Sequence, residues 1–255
     1  MRKNCYFSQD DNPVLEMKKA AVLLLLFSLL IFSCDQPLTA EKILDKSITY
    51  HDPNGNWNTF KGELNITMKI PDQSDRISEI RIDLPEEGFY VKATRETTET
   101  IYDIKKDDCI ISFNGQTNFS EEVAKVNRLD CETAKRYQNY YTYLYGLPMK
   151  LKDPGTHISD SLITKNFKGK DYLVLKTTYD ESVGSDIWYF YFDPETYAME
   201  VYQFFRKDDE GRQNDDTGEY ILLSEEVLVN DIKMPKIRAW YYNKDDKYLG
   251  TDVLN

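Results

Sequence analysis

The chain has 255 residues, 44 acidic and 32 basic side chains, a formal charge of −12 and 41% hydrophobic content. That apolar share is too high for a disordered chain and suits a packed core. The charge argues against nucleic acid as a partner, since phosphate backbones attract clustered Lys and Arg. Four cysteines and two histidines leave no material for a Cys-rich zinc module.

Residues 1–16 are polar and mixed in charge and fit no signal, so they read as a dispensable leader, with Met17 the better start. Met17-Lys18-Lys19 begins residues 17–33, where an apolar run from Ala20 to Phe32 ends in Ser33 before Cys34. A charged start, an apolar middle and a small closing residue are the layout of a secretory signal. The run is shorter than the roughly 20 residues that a membrane-spanning helix needs. Ile31-Phe32-Ser33-Cys34 resembles a bacterial lipobox. The resemblance implies cleavage before Cys34, diacylation of its sulfur and usually acylation of the new amine. Each buried methylene is worth ~0.8 kcal/mol, so two or three acyl chains anchor effectively for good. The protein is thus expected at the cell envelope, on the outer membrane, held there by its lipid. The acidic body is not drawn to anionic headgroups.

Cys109 and Cys131 remain, 22 positions apart in an exported chain, and read as a disulfide. A reactive thiol is the alternative, but no nearby His or Cys-x-x-Cys pair lowers a thiol pKa.

Residues 34–39 form a tether, and 40–255 read as one domain. Ala40 to His51 is helical, with Ile43, Leu44, Ser47 and Ile48 on one face. His51-Asp52-Pro53-Asn54-Gly55 breaks it. Leu64, Ile66, Met68 and Ile70 then alternate with polar partners, as do Ile80, Ile82 and Leu84. With strand candidates near 89–94, 99–105 and 109–113, this predicts an antiparallel meander. From Glu121 the period changes, and helices are expected across 121–146, ended by Gly146 and Pro148. Strands return near 162–167, 172–179, 187–192, 199–205, 220–229, 236–243 and 248–253. In Ile187-Trp188-Tyr189-Phe190-Tyr191-Phe192 both faces are apolar, so both are covered, by helices on one side and a core or cavity on the other. The fold class is therefore α+β: a curved antiparallel sheet or half-open barrel covered by a few helices.

Four segments carry a family resemblance. They are Tyr50-His51-Asp52-Pro53-Asn54-Gly55-Asn56-Trp57, residues 140–149, Tyr189-Phe190-Tyr191-Phe192-Asp193-Pro194-Glu195-Thr196 and residues 244–251. The sequence resembles a Bacteroidota lipoprotein family of unknown function, which implies no activity. The order helix, meander, helices, long sheet also resembles the lipoprotein-carrier (Lol-type) fold. That architecture implies an apolar cavity that holds acyl chains; no carrier motif matches residue by residue.

No nucleophile elbow, Walker loop or dinucleotide fingerprint is present. No catalytic residue, cofactor or metal site is expected, and Asp245-Asp246 and Asp208-Asp209-Glu210 read as solvated hairpin tips. His51 and His157 lie beside Pro and Gly, where turn or surface roles are the plain reading. The alternative is a hydrolase that uses His51 and Asp52. The remaining signal is aromatic: 19 tyrosines, 12 phenylalanines and three tryptophans. These rings either fill a β-rich core or line a cavity for an acyl chain or another apolar ligand. The expected liners are Trp57, Met68, Tyr141, Tyr145, Trp188, Phe190, Phe204 and Trp240. A ligand-free scaffold with a filled core is the competing expectation.

Overall fold

The computed structural model describes residues 38–255. The leader, the signal segment, Cys34 and all but the last two residues of the tether lie outside the described residues. The first helix, α1 (Ala40–His51), starts where the Thr39 side chain accepts from the Lys42 amide. Its buried stripe is Ile43, Leu44, Ser47 and His51. A 3₁₀ turn over Asn56–Thr59 follows.

Five strands then form the meander. They are β1 (Lys61–Lys69), β2 (Arg76–Asp83), β3 (Gly88–Arg95), β4 (Thr98–Lys105) and β5 (Asp108–Phe113). Their inward residues are nearly all apolar: Leu64 and Ile66, Ile80 and Ile82, Phe89 and Val91, Tyr102 and Ile104. The intervening side chains are wet, which is the pattern of a sheet with one solvated face.

Two helices interrupt the strands, α2 (Glu121–Asn127) and α3 (Cys131–Gly146). Each has an N-cap: Ser120 Oγ accepts from Val123 N, and Asp130 accepts from Thr133 N at 2.6 Å. Asp130 is held below the usual carboxylate range chiefly by that amide. Cys109 on β5 and Cys131 at the head of α3 stand at disulfide distance, with Cα atoms 6.0 Å apart.

The second run comprises β6 (Thr156–Ile158), β7 (Ile163–Phe167), β8 (Lys170–Tyr179), β9 (Ile187–Phe192), β10 (Met199–Phe205), β11 (Glu219–Val229), β12 (Ile232–Tyr242) and β13 (Tyr248–Leu254). Every named strand pair is antiparallel, and β13 closes back on β1. The result is a 13-stranded sheet in the order β5-β4-β3-β2-β1-β13-β12-β11-β10-β9-β8-β6, with β7 also on β8.

This sheet is strongly curved, and α3 shows why. Tyr137 of α3 stacks on Tyr102 of β4, with ring centroids 5.4 Å apart. Six residues on, Tyr143 meets Tyr179 of β8 at 6.2 Å. Those strands are nine steps apart in the sheet order. A flat sheet spaced ~4.8 Å per strand separates them by roughly 43 Å, whereas a helix is only ~10 Å across. The sheet must therefore curl around α3 without closing.

The C-terminal strands are covered on both faces, as their composition predicts. The second cover is a core, one of the two that the composition allows. Tyr172, Val174, Tyr191 and Val201 form a small core, and Ile163 and Phe167 of β7 pack on it. The hairpin of β7 and β8 thus helps to bury that face.

Candidate functional site

The α3 helix divides the concave side into a filled layer and an open one. In the filled layer, Tyr141, Tyr145 and Phe190 are each at most 2% exposed. Trp57 is buried beside the last turn of α3, so closely that a Cβ on Gly146 would clash with its ring. These four expected liners are core residues. The physical reason is ring size: Tyr141 and Tyr145 of α3 are buried there together with Phe190 and fill that space.

A polar group runs through this layer. Arg238 of β12 is 1% exposed and Asp252 of β13 is 4% exposed. The two are register partners, and Asp252 in turn pairs with Met68 of β1, which pairs with Arg76 of β2. Arg238 donates to the carbonyls of Pro235 at 3.0 Å and Leu144 at 3.4 Å. Burial pushes the Asp252 carboxyl above its usual range, against the pull of Arg238 and Arg76. Burial likewise raises the Tyr202 hydroxyl to about 12. Tyr145 Oη, Tyr202 Oη and Ser78 Oγ are buried without a hydrogen-bond partner, which is costly unless something pairs with them.

The open layer holds the other four expected liners. Met68 and Trp240 line a cleft of about 270 Å³ with Ile70, Tyr140 and Leu249. Tyr140 and Trp240 stack at 6.3 Å. Trp188 lies in a larger cleft of about 540 Å³ with Tyr140, Tyr143 and Tyr179. Phe204 stacks on Trp188 at 4.9 Å. Tyr202 touches both Trp188 and Trp240 at ring distances of 6.2 and 6.3 Å, so the rings run without a break beside α3. Ligand pockets typically measure about 300–1,000 Å³, a range that the Trp188 cleft meets and the Trp240 cleft falls just short of.

Tyr140, Tyr143 and Tyr179 were not among the expected liners. Tyr140 and Tyr143 are three apart on α3 and share a helix face. That spacing was available in the sequence, but nothing local shows which face of an aromatic helix stays open.

His51 is not the turn or surface residue its neighbours suggest. It is the last residue of α1 and 1% exposed. Its Nδ1 donates to the Lys233 carbonyl at 2.8 Å, and its Nε2 accepts from the Met199 amide at 3.0 Å. That pattern fixes a neutral ring with no free nitrogen. Burial lowers its pKa. The Asp52 carboxylate accepts from the amides of Asn56 at 2.8 Å and Trp57 at 2.9 Å, which caps the 3₁₀ turn. Both ring nitrogens of His51 and both carboxylate oxygens of Asp52 are thus engaged by the backbone. His157 lies on β6 at the surface, paired with Asp180 at 2.6 Å.

An open antiparallel sheet wrapped around a tyrosine-rich helix, with an aromatic cleft along one side, defines the class of molecule. The chain belongs to a family of unknown function, DUF6503, whose model matches residues 18–254. No curated protein matches the chain. Among solved structures it is similar to a LolA superfamily protein from Nitrosomonas europaea, with a TM-score of 0.46 and 12% identity. That alignment covers 86% of this chain and 92% of the other. A DUF1329 family protein from Desulfovibrio piger aligns with a TM-score of 0.44 and 7% identity, covering 84% and 90% of the two chains. MucB in complex with MucA(peri) aligns with a TM-score of 0.24 and 8% identity, covering 84% and 92%.

Proposed function

We propose that this protein is a non-enzymatic, lipid-anchored envelope protein that binds an acyl chain or another apolar ligand beside α3. One observation carries the binding: Met68, Ile70, Tyr140, Trp240 and Leu249 all line one open cleft. Leaving such surface in water costs about 25 cal/mol per Å², and a ligand that covers it recovers that energy. The anchor rests on the lipobox-like run that ends at Cys34. Anchoring would hold the cleft near a membrane, where apolar ligands are concentrated.

A fluorescent fatty acid titrated into the purified protein tests the binding. Saturable uptake that Trp240→Ala weakens supports it, and no uptake overturns it. The anchor is tested separately with a palmitate analogue in cells. Label that disappears in Cys34→Ser supports it, and label that persists contradicts it.

A second reading has its own support. The deep layer is fully packed by Tyr141, Tyr145 and Phe190, which favours a ligand-free scaffold whose clefts are surface relief. The same titration separates the two.

A further inference from the structure

We infer that the ligand of this cleft carries an anionic head, received by a basic pocket that adjoins the apolar cleft at Met68 and Tyr140. This rests on the proposed acyl-binding function and adds the chemistry of the other end of the ligand.

The pocket measures about 380 Å³ and shares Met68 and Tyr140 with the apolar cleft as a common wall. Its lining includes Arg76, Arg128 and Arg136 and no acidic side chain. In a chain with a net charge of −12, such a concentration of cations is out of character.

Arg76 is the central cation. Its Nη2 donates to Tyr141 Oη at 3.2 Å, while its Nε is buried and unpartnered. Its register partner on β3 is Arg95, whose guanidinium donates to the Gln73 side chain instead. The Asp252 carboxylate acts on Arg76 from beyond contact. Arg136 is held in place by Glu132 at 2.7 Å and by Thr133 Oγ1 at 2.6 Å. A planar guanidinium with a free edge suits a carboxylate or a phosphate, which it can meet with paired hydrogen bonds.

The far side of the shared wall offers the same head no cation, since Glu219 and Asp252 edge the apolar cleft. An amphiphile is thereby oriented, with its chain against Trp240 and its head at Arg76. A fatty acid and a phosphate-headed lipid share this chemistry.

The test is calorimetric titration of the purified full chain with four sixteen-carbon probes: palmitate, hexadecyl phosphate, hexadecanol and hexadecyltrimethylammonium. The expected result is that at least one anion binds tenfold or more tighter than the alcohol, with the cation weakest. Whichever anion is tighter names the source of the head. In Arg76→Gln the anion-to-alcohol ratio should fall below threefold. Arg128→Gln, an exposed position that leaves the core intact, should reduce the ratio in part. Equal binding of alcohol and anions overturns the inference while the apolar site stands. A ratio unchanged in both variants also overturns it. Failure of all four probes to bind overturns the proposed function itself.

Discussion

The Arg238 guanidinium lies 3.8 Å from the centroid of the Tyr145 ring and donates to the Leu144 carbonyl beside it. A buried cation thus fastens the last turns of α3 to β12. A desolvated cation–π contact is worth ~2 kcal/mol or more. Arg238→Ala strips the contact and leaves Asp252 without its nearest counter-charge. A loss of ~2–4 kcal/mol is expected from the cation–π contact and the buried carbonyl left without its donor. Arg238→Met, which keeps the stem volume, should cost less. Urea midpoints of the two variants check the order.

His51 makes stability depend on pH. Its folded-state pKa is lowered by burial, so the folded state prefers the neutral ring. This contribution is fully present above the unfolded value of about 6.5 and is lost as pH falls below it toward the folded pKa. The thermal midpoint should therefore drop from pH 7 to pH 5. His51→Gln should flatten part of that drop, even though the variant is less stable at pH 7. An equal drop in both proteins would count against this account of the clasp.

The Cys109–Cys131 pair ties the free edge of the sheet to the head of α3. Closing a loop of that length is worth roughly 3 kcal/mol in the chain-entropy model. The double Ser variant is expected to lose about that much in urea unfolding, and a reductant should produce the same loss in the native protein but none in the variant.

The layers of the concave side predict opposite phenotypes. Phe190 is fully buried, so Phe190→Ala should cost ~3–5 kcal/mol. Trp240 faces the open cleft and is only half-buried, so Trp240→Ala should cost less stability than Phe190→Ala and weaken fatty-acid uptake several-fold. Paired unfolding and binding curves separate the two.

Period two in β1 to β5 and the helical stretches 40–51 and 121–146 were readable because the residues repeat with the period of their own structure. The same alternation did not reveal where β12 begins. It starts at Ile232, ahead of Pro235, on the far side of a tight turn with positive φ at Asn230 and Asp231. The short β6 was missed because three residues carry no period. The site was legible only by composition. That Trp57 is sealed under Gly146 while Trp240 stays open depends on how far the sheet curls, and the curl is set by contacts between residues far apart in the chain. The pairing of Arg76 with Arg128 and Arg136 has the same origin, since β2 and the helices meet only after folding.

Native mass spectrometry of the protein released from cell envelopes tests the binding account most directly. The account predicts a population carrying the added mass of an amphiphile, which Trp240→Ala depletes. A bare polypeptide mass, with no adduct after incubation with palmitate, would contradict it.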